Sequence, residues 1–168
     1  MVNAAGPTHD DVLRILDEVM DPEVPVLNVV ELGIIRDVQV DGTPICITIT
    51  PTYSGCPAMH IMEQDMRAAL AVHGITDVEF RTVYAPAWTS DWIPAQAKEK
   101  LRRFGIAPPA PAAEQGGLIT LTRRQPAVTC PYCGSVNTER RSEFGSTACK
   151  AIHYCNACHQ PFDEFKPF

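Results

Sequence analysis

The sequence predicts two folded units, a small α+β domain and then a short β domain organised by four cysteines. Three observations carry this prediction. Hydrophobic periods of 3.6 and 2 alternate along residues 1–105 in the order α-β-β-α-β-α. A proline- and glycine-rich run, 106–117, then has linker composition. In 118–168 stand two Cys-x-x-Cys pairs, Cys130/Cys133 and Cys155/Cys158.

The elements follow in order. Thr8 is an expected N-cap, with Asp11 three residues on as a weak capping box. Val12, Leu13, Ile15, Leu16, Val19 and Met20 recur at helical spacing until Asp21-Pro22 stops the helix. Leu32-Gly33 turns into a strand over 34–40, and Asp41-Gly42 is a hairpin signal leading to a partner strand over 45–50. In that strand Ile45, Ile47 and Ile49 share one face, and Cys46, Thr48 and Thr50 the other. A long helix with Met59, Met62, Met66, Ala69, Leu70 and Val72 on its apolar side ends at Gly74. Residues 75–84 read as a third strand. Thr89 or Ser90 then caps a last helix that reaches Phe104, with Pro94 in its first turn and Gly105 as its stop. The result is a three-stranded sheet with helices packed on it.

Charge is uneven along the chain. The formal net charge is −6, which argues against a nucleic-acid binder as a whole. Residues 1–104 hold eight Lys/Arg against fifteen Asp/Glu, and 118–168 hold six against four. No stretch reads as a signal peptide or membrane span, and seven cysteines with paired spacing suit metal ligation in a reducing cytoplasm.

The stretch Thr50-Pro51-Thr52-Tyr53-Ser54-Gly55-Cys56-Pro57 joins the second strand to the long helix. Pro57 suits the first helical position, so Cys56 falls at or next to the N-cap. Unpaired N–H groups and the helix dipole favour a thiolate there. Thr50, Thr52, Tyr53 and Ser54 can line its rim, and the fold can bring Asp21, Glu23 and Glu31 to the same place by their loops. His60 lies one turn along the helix and is the one nearby candidate base or ligand partner.

The two cysteine knuckles, with strands expected over 137–144, 148–154 and 160–163, form a zinc-ribbon-like fold. Cys130, Cys133, Cys155 and Cys158 should hold one tetrahedral ion, zinc by default and iron as the alternative. Some fifty residues give too little core without it. Cys149, His153 and His159 are left over. Cys149 and His153 lie four apart in an expected strand; Cys149 reads as a packing residue and the two histidines as exposed, rather than as a second metal site.

Two resemblances converge on these residues. Asp21-Pro22-Glu23-x-Pro25, Glu31-Leu32-Gly33-Ile34-Ile35 and Thr48-x-Thr50 running into Gly55-Cys56-Pro57 resemble the metal–sulfur cluster biosynthesis family. Glu31 stands where that family more often has Asp. The two knuckles, Phe144-Gly-Ser-Thr147-Ala-Cys149-Lys150-Ala and Pro161-Phe162-Asp163, resemble the D-component family of bacterial phenylacetyl-CoA ring epoxidases. These epoxidases are multicomponent di-iron oxygenases of aromatic catabolism. The resemblance implies an accessory, assembly role without turnover of its own, with iron or an iron–sulfur species held transiently at Cys56. It implies oxygenase subunits or their reductase as partners. A homodimer that sets two Cys56 thiols side by side could bridge one cluster. Two other classes remain open. One is a zinc-ribbon nucleic-acid binder resting on Arg123-Arg124 and Arg140-Arg141. The other is a thiol enzyme with Cys56 as nucleophile and His60 as base.

Overall fold

A computed structural model describes residues 6–111 and 127–168. The chain divides into two compact units, Met1–Trp88 and Thr89–Phe168. The first holds α1 (His9–Leu16), β1 (Ile35–Gln39), β2 (Ile45–Ile49), α2 (Ala58–Val72) and β3 (Val78–Thr82). The second holds a 3₁₀ turn (Ser90–Trp92), α3 (Ala95–Phe104), β4 (Ile106–Ala107), β5 (Thr138–Ser142), β6 (Lys150–Cys155) and β7 (Pro161–Phe165).

Helix α1 starts on a full capping box: Thr8 Oγ1 accepts the Asp11 N–H at 3.2 Å, and the Asp11 carboxylate accepts the Thr8 N–H at 3.1 Å. It ends at Leu16, earlier than the periodicity suggests. Val19 and Met20 instead pair with the following loop: the Val29 N–H donates to Val19 O at 2.9 Å, and Met20 bridges to Asn28.

The sheet of the first unit runs β1-β2-β3, with β1 antiparallel and β3 parallel to the central β2. Ile47 and Ile49 are fully buried and Val38 lies opposite Ile47, so one face forms the core. Val12 and Leu16 of α1 and Met62, Met66 and Leu70 of α2 are at 0% exposure in the same core. Each such side chain stabilises the fold by roughly 1.5–3 kcal/mol. The opposite face carries the cross-strand rows Gln39–Cys46–Glu79 and Asp37–Thr48–Arg81. Val72, expected on the apolar side of α2, is 84% exposed at its C-terminal end.

The expected single helix from Thr89 to Phe104 is broken. Thr89 caps only the 3₁₀ turn, and Pro94, extended at ψ 157°, is the N-cap of α3. The ring of Pro94 disfavours a helical Ile93, so the chain starts a new helix. A second correction concerns the run 106–117. Its first two residues are β4, which pairs in parallel with β7 through Ile106 with Asp163 and Ala107 with Glu164. The second sheet runs β4-β7-β6-β5. The remainder of that run from 112 and Arg123-Arg124 lie outside the described residues.

The unit boundary at Trp88 and Thr89 sharpens the charge asymmetry. The first unit has four Lys/Arg against thirteen Asp/Glu, the second ten against seven.

Gly105 closes α3 in the left-handed region, at φ 93°. A β-carbon there would stand 2.7 Å from Tyr132 Oη. Gly105→Ala is therefore expected to destabilise the second unit by more than the 1–2 kcal/mol, approximately, of a left-handed backbone alone. Urea unfolding followed by tryptophan fluorescence checks this, and an unchanged midpoint would refute it.

Candidate metal centre and the Cys56 loop

The parallel β2–β3 pair requires a crossover, and α2 supplies it. The loop from Thr50 to Pro57 thus leaves the C-terminal end of the central strand and feeds the N-terminus of α2. Open α/β sheets bind ligands at this strand end. Three hydrogen bonds gather further loops there. Thr50 N–H donates to Ile34 O at 2.9 Å, Val83 N–H to Ile49 O at 2.8 Å, and the buried Trp88 Nε1–H to Leu32 O at 2.9 Å.

Pro57, rather than Cys56, is the N-cap of α2, and it offers no side-chain cap. The first turn of α2 has no acidic residue. Cys56 stands one residue earlier with its thiol partly exposed. Its carbonyl accepts the Met59 N–H, and its N–H donates to Tyr53 O, both at 3.3 Å. Thr50 and Thr52 are buried, Tyr53 is half-buried and Ser54 is exposed. His60 is exposed and takes a hydrogen bond from Gln64 Nε2 at 3.1 Å.

The loop carboxylates do local work. Asp21, 6% exposed, accepts the N–H groups of Glu23 at 2.6 Å and Val24 at 2.8 Å on Oδ1. Glu31 and Asn28 form a reciprocal box: Glu31 N–H to Asn28 Oδ1 at 2.7 Å, Asn28 N–H to Glu31 Oε2 at 3.3 Å. Sequence reasoning singles out Asp21 and Glu31 but misses Asn28, although Asn28-x-x-Glu31 has capping-box spacing. A cleft of about 400 Å³ lies at the other end of α2, bordered by Gly42, Thr43, His73 and Asp77, and has no thiol on its wall.

In the second unit, the thiol sulfurs of Cys130, Cys133, Cys155 and Cys158 all lie within 4.8 Å of one another. Cys130 Sγ is 3.7 Å from Cys158 Sγ, and Cys133 Sγ is 3.5 Å from Cys155 Sγ. A tetrahedral ion with bonds of about 2.3 Å to sulfur sets its ligands about 3.8 Å apart. Spacing and donor softness therefore both fit one zinc ion.

The two knuckles repeat one backbone pattern. Gly134 and His159 donate their N–H groups to Cys130 O and Cys155 O, each at 2.9 Å. Cys130 and Cys155 in turn donate to Ser135 O at 2.9 Å and Gln160 O at 3.0 Å. Gly134 at φ 75° and His159 at φ 60° occupy equivalent left-handed positions. Outer-shell amides point at sulfur as metal knuckles require: Ser135 at Cys133, Ala157 and Cys158 at Cys155, Gln160 at Cys158. The Cys158 and Ala157 amides draw the Cys155 thiol down to about 6, while burial pushes the Cys158 thiol up to about 12. Cys130 and Cys155 also form the local apolar core with Ala107 and Phe162.

The spare residues are accounted for. Cys149 is buried in the turn before β6, with Thr147 Oγ1 at 3.1 Å, and so does not share a strand face with His153. His153, expected to be exposed, is instead buried: it stacks on Phe162 at 5.5 Å and bonds the buried Glu164 Oε2 at 2.8 Å. Tyr154 Oη lies 3.5 Å from His159 Nδ1. Arg140 pairs with Glu143 and Glu164, and Arg141 pairs with Glu139 and lies over the Tyr154 ring. Among the described residues no helix is long and apolar enough to cross a membrane.

Two expectations follow. The purified full-length protein should carry one equivalent of zinc, which Cys133→Ser abolishes and Cys46→Ser leaves intact; elemental analysis decides, and retention by Cys133→Ser would contradict the site. Asp21→Ala should lower stability by about 1–2 kcal/mol through two unmet loop N–H groups, read from thermal unfolding. An Asp21→Ala protein of unaltered stability would leave the carboxylate without its backbone role.

Comparison with known proteins finds two family matches along the chain. The "Iron-sulfur cluster assembly protein" family matches residues 9–80, and the "PaaD zinc beta ribbon domain" matches 114–166. The chain is 42% identical over 166 residues to an Escherichia coli K12 protein named for the D component of the 1,2-phenylacetyl-CoA epoxidase, covering 99% of this chain and 97% of that protein. It is 36% identical over 104 residues to an Fe-S protein maturation auxiliary factor of Porphyromonas gingivalis, covering 60% of this chain and 97% of the relative. The crystal structure of a DUF59 domain from Bacillus anthracis superposes with a TM-score of 0.51 at 27% identity, over 55% of this chain and 89% of that one. With the likeness sustained through both units, the chain belongs to the family of phenylacetyl-CoA epoxidase D components, an iron–sulfur assembly domain joined to a zinc ribbon.

Proposed function

We propose that this chain is an accessory maturation component of a phenylacetyl-CoA ring-epoxidising di-iron oxygenase. It handles iron or an iron–sulfur unit at Cys56 and turns over no substrate of its own. The observation that carries this reading is the setting of Cys56. It is a part-exposed thiol at an uncapped helix N-terminus, within a domain of the iron–sulfur assembly family. The E. coli relative's name supports the link to the oxygenase, and the Porphyromonas relative's name supports the maturation role.

The chemistry suits transfer better than storage. A thiolate is a soft ligand for iron or for a cluster edge. One sulfur with hydroxyls beside it is an incomplete set, which a recipient or a second copy of the chain can finish. Thr52 is the rim hydroxyl assigned to the site, while Asp21 and Glu31 shape its wall through the backbone they cap. The ribbon serves as a second docking surface, toward oxygenase subunits or their reductase, in the cytoplasm.

The other two classes are less well supported. Arg140 and Arg141 are already engaged by carboxylates, which speaks against a nucleic-acid role for that pair. His60 is bonded to Gln64, which weakens it as a base for Cys56.

Anaerobic reconstitution with iron and sulfide tests the proposal. The wild type should take up iron beyond its ribbon metal and gain visible absorption, and Cys56→Ser should do neither while keeping its zinc. A strain carrying only Cys56→Ser should lose oxygenase activity, because a hydroxyl is a hard, protonated and poor ligand. Full activity with a full iron complement in that strain would make Cys56 a packing residue.

A further inference from the structure

The second unit draws part of its core from outside the cysteine-bearing segment. β4 follows Gly105 directly and adds to the edge of β7. Ala107, 1% exposed, shares a cluster with Cys130, Cys155 and Phe162, bordered by Val128 and Cys158. Half of that small cluster is metal-ligand sulfur. Tyr132, inside the first knuckle, lies against Gly105, with Cε1 3.0 Å and Oη 2.7 Å from where a β-carbon would be.

The front of the same segment is tied to Phe168, three residues past the end of β7. Phe168 O accepts the Thr89 hydroxyl at 2.8 Å and the Ser90 N–H at 3.2 Å, and the Phe168 N–H donates to Ser90 Oγ at 3.3 Å. Segment 89–107, with α3 at its centre, is thus held at both ends. Each holder depends on the cysteines: Tyr132 sits between Cys130 and Cys133, and β7 is anchored in the core by Phe162 beside Cys155. Ile93, Ala97, Leu101 and Phe165 are buried elsewhere in the unit, but the cluster at the knuckles has only Ala107, Phe162 and Val128 beside its cysteines, so its cohesion rests largely on a shared ion.

We propose that the four-cysteine centre is a metal-dependent clasp on segment 89–107. With the ion bound, the knuckles hold Tyr132 on Gly105 and keep β4 paired, so α3 belongs to the ribbon. On metal loss both ends of the segment come free together, while the first unit keeps its own sheet. The ribbon's metal state is then read out by a helix that carries no ligand. This goes beyond the role proposed for Cys56 and does not depend on it.

Hydrogen–deuterium exchange of the full-length protein, zinc-loaded and after chelation under reducing conditions, tests the clasp. Peptides within 95–107 should speed up about tenfold or more on zinc removal, together with those of 130–165, while 34–50 and 58–72 stay protected. Tyr132→Ala should keep its zinc and yet exchange faster at 103–107. Unchanged protection of 95–107 after zinc removal would overturn the proposal. So would simultaneous loss in both units, which would mean global unfolding. A Tyr132→Ala protein whose 103–107 exchange matches the wild type would overturn the coupling through Gly105.

Discussion

The second unit depends on four sulfurs being brought to within 4.8 Å of one another. Thiolates at that separation repel, and thiols there are weak hydrogen-bonding groups with little packing volume. Only a soft cation turns the arrangement into an attraction. The rest of the unit follows from meeting that constraint. Each knuckle needs a tight turn, so a left-handed residue follows its second cysteine. Each turn leaves amides aimed at sulfur, which ease anionic charge there and draw the Cys155 thiol down. The strands then need only short apolar contacts, such as Phe162 and Ala107, to close around the centre.

The first unit is built on a different principle. Its core is built of Val, Leu, Ile and Met at 0–9% exposure, many of them fully buried. What matters for function is the direction of the chain. A parallel pair forces the connection through a helix, which delivers one loop and one helix N-terminus to the same strand end. The acidic bias of this unit, four cations against thirteen anions, surrounds a site proposed to handle a cationic metal.

Much of this is legible in the residues. The Thr8 box, the central Ile45/Ile47/Ile49 face, the start of α2 near Pro57 and the four-cysteine cluster all rest on local signals. What is not legible has physical causes. β4 has two residues, too short to show a period, and its partner lies over fifty positions away. Proline-rich composition marks the region as a linker, but pairing with β7 gives its first residues a sheet. Pro94 reads as tolerable within one helix, whereas its ring sets a boundary. Asp21 and Glu31 read as bare carboxylates facing a site, but loop N–H groups occupy at least one oxygen of each. His159 reads as spare because a non-glycine residue at positive φ leaves no trace in the sequence.

The short strand β4 has a further consequence, for how the chain can be divided. A cut after Gly105, where composition alone would separate the domains, removes the strand that covers part of the outer edge of β7. The ribbon would then offer bare N–H and C=O groups along a strand bearing Phe162 and Phe165, open to pairing with another chain. The compact units instead divide at Trp88 and Thr89. Gene fusions or truncations that keep residues 89–107 with the ribbon keep β4 on β7, while those that follow the proline run leave that edge unpaired.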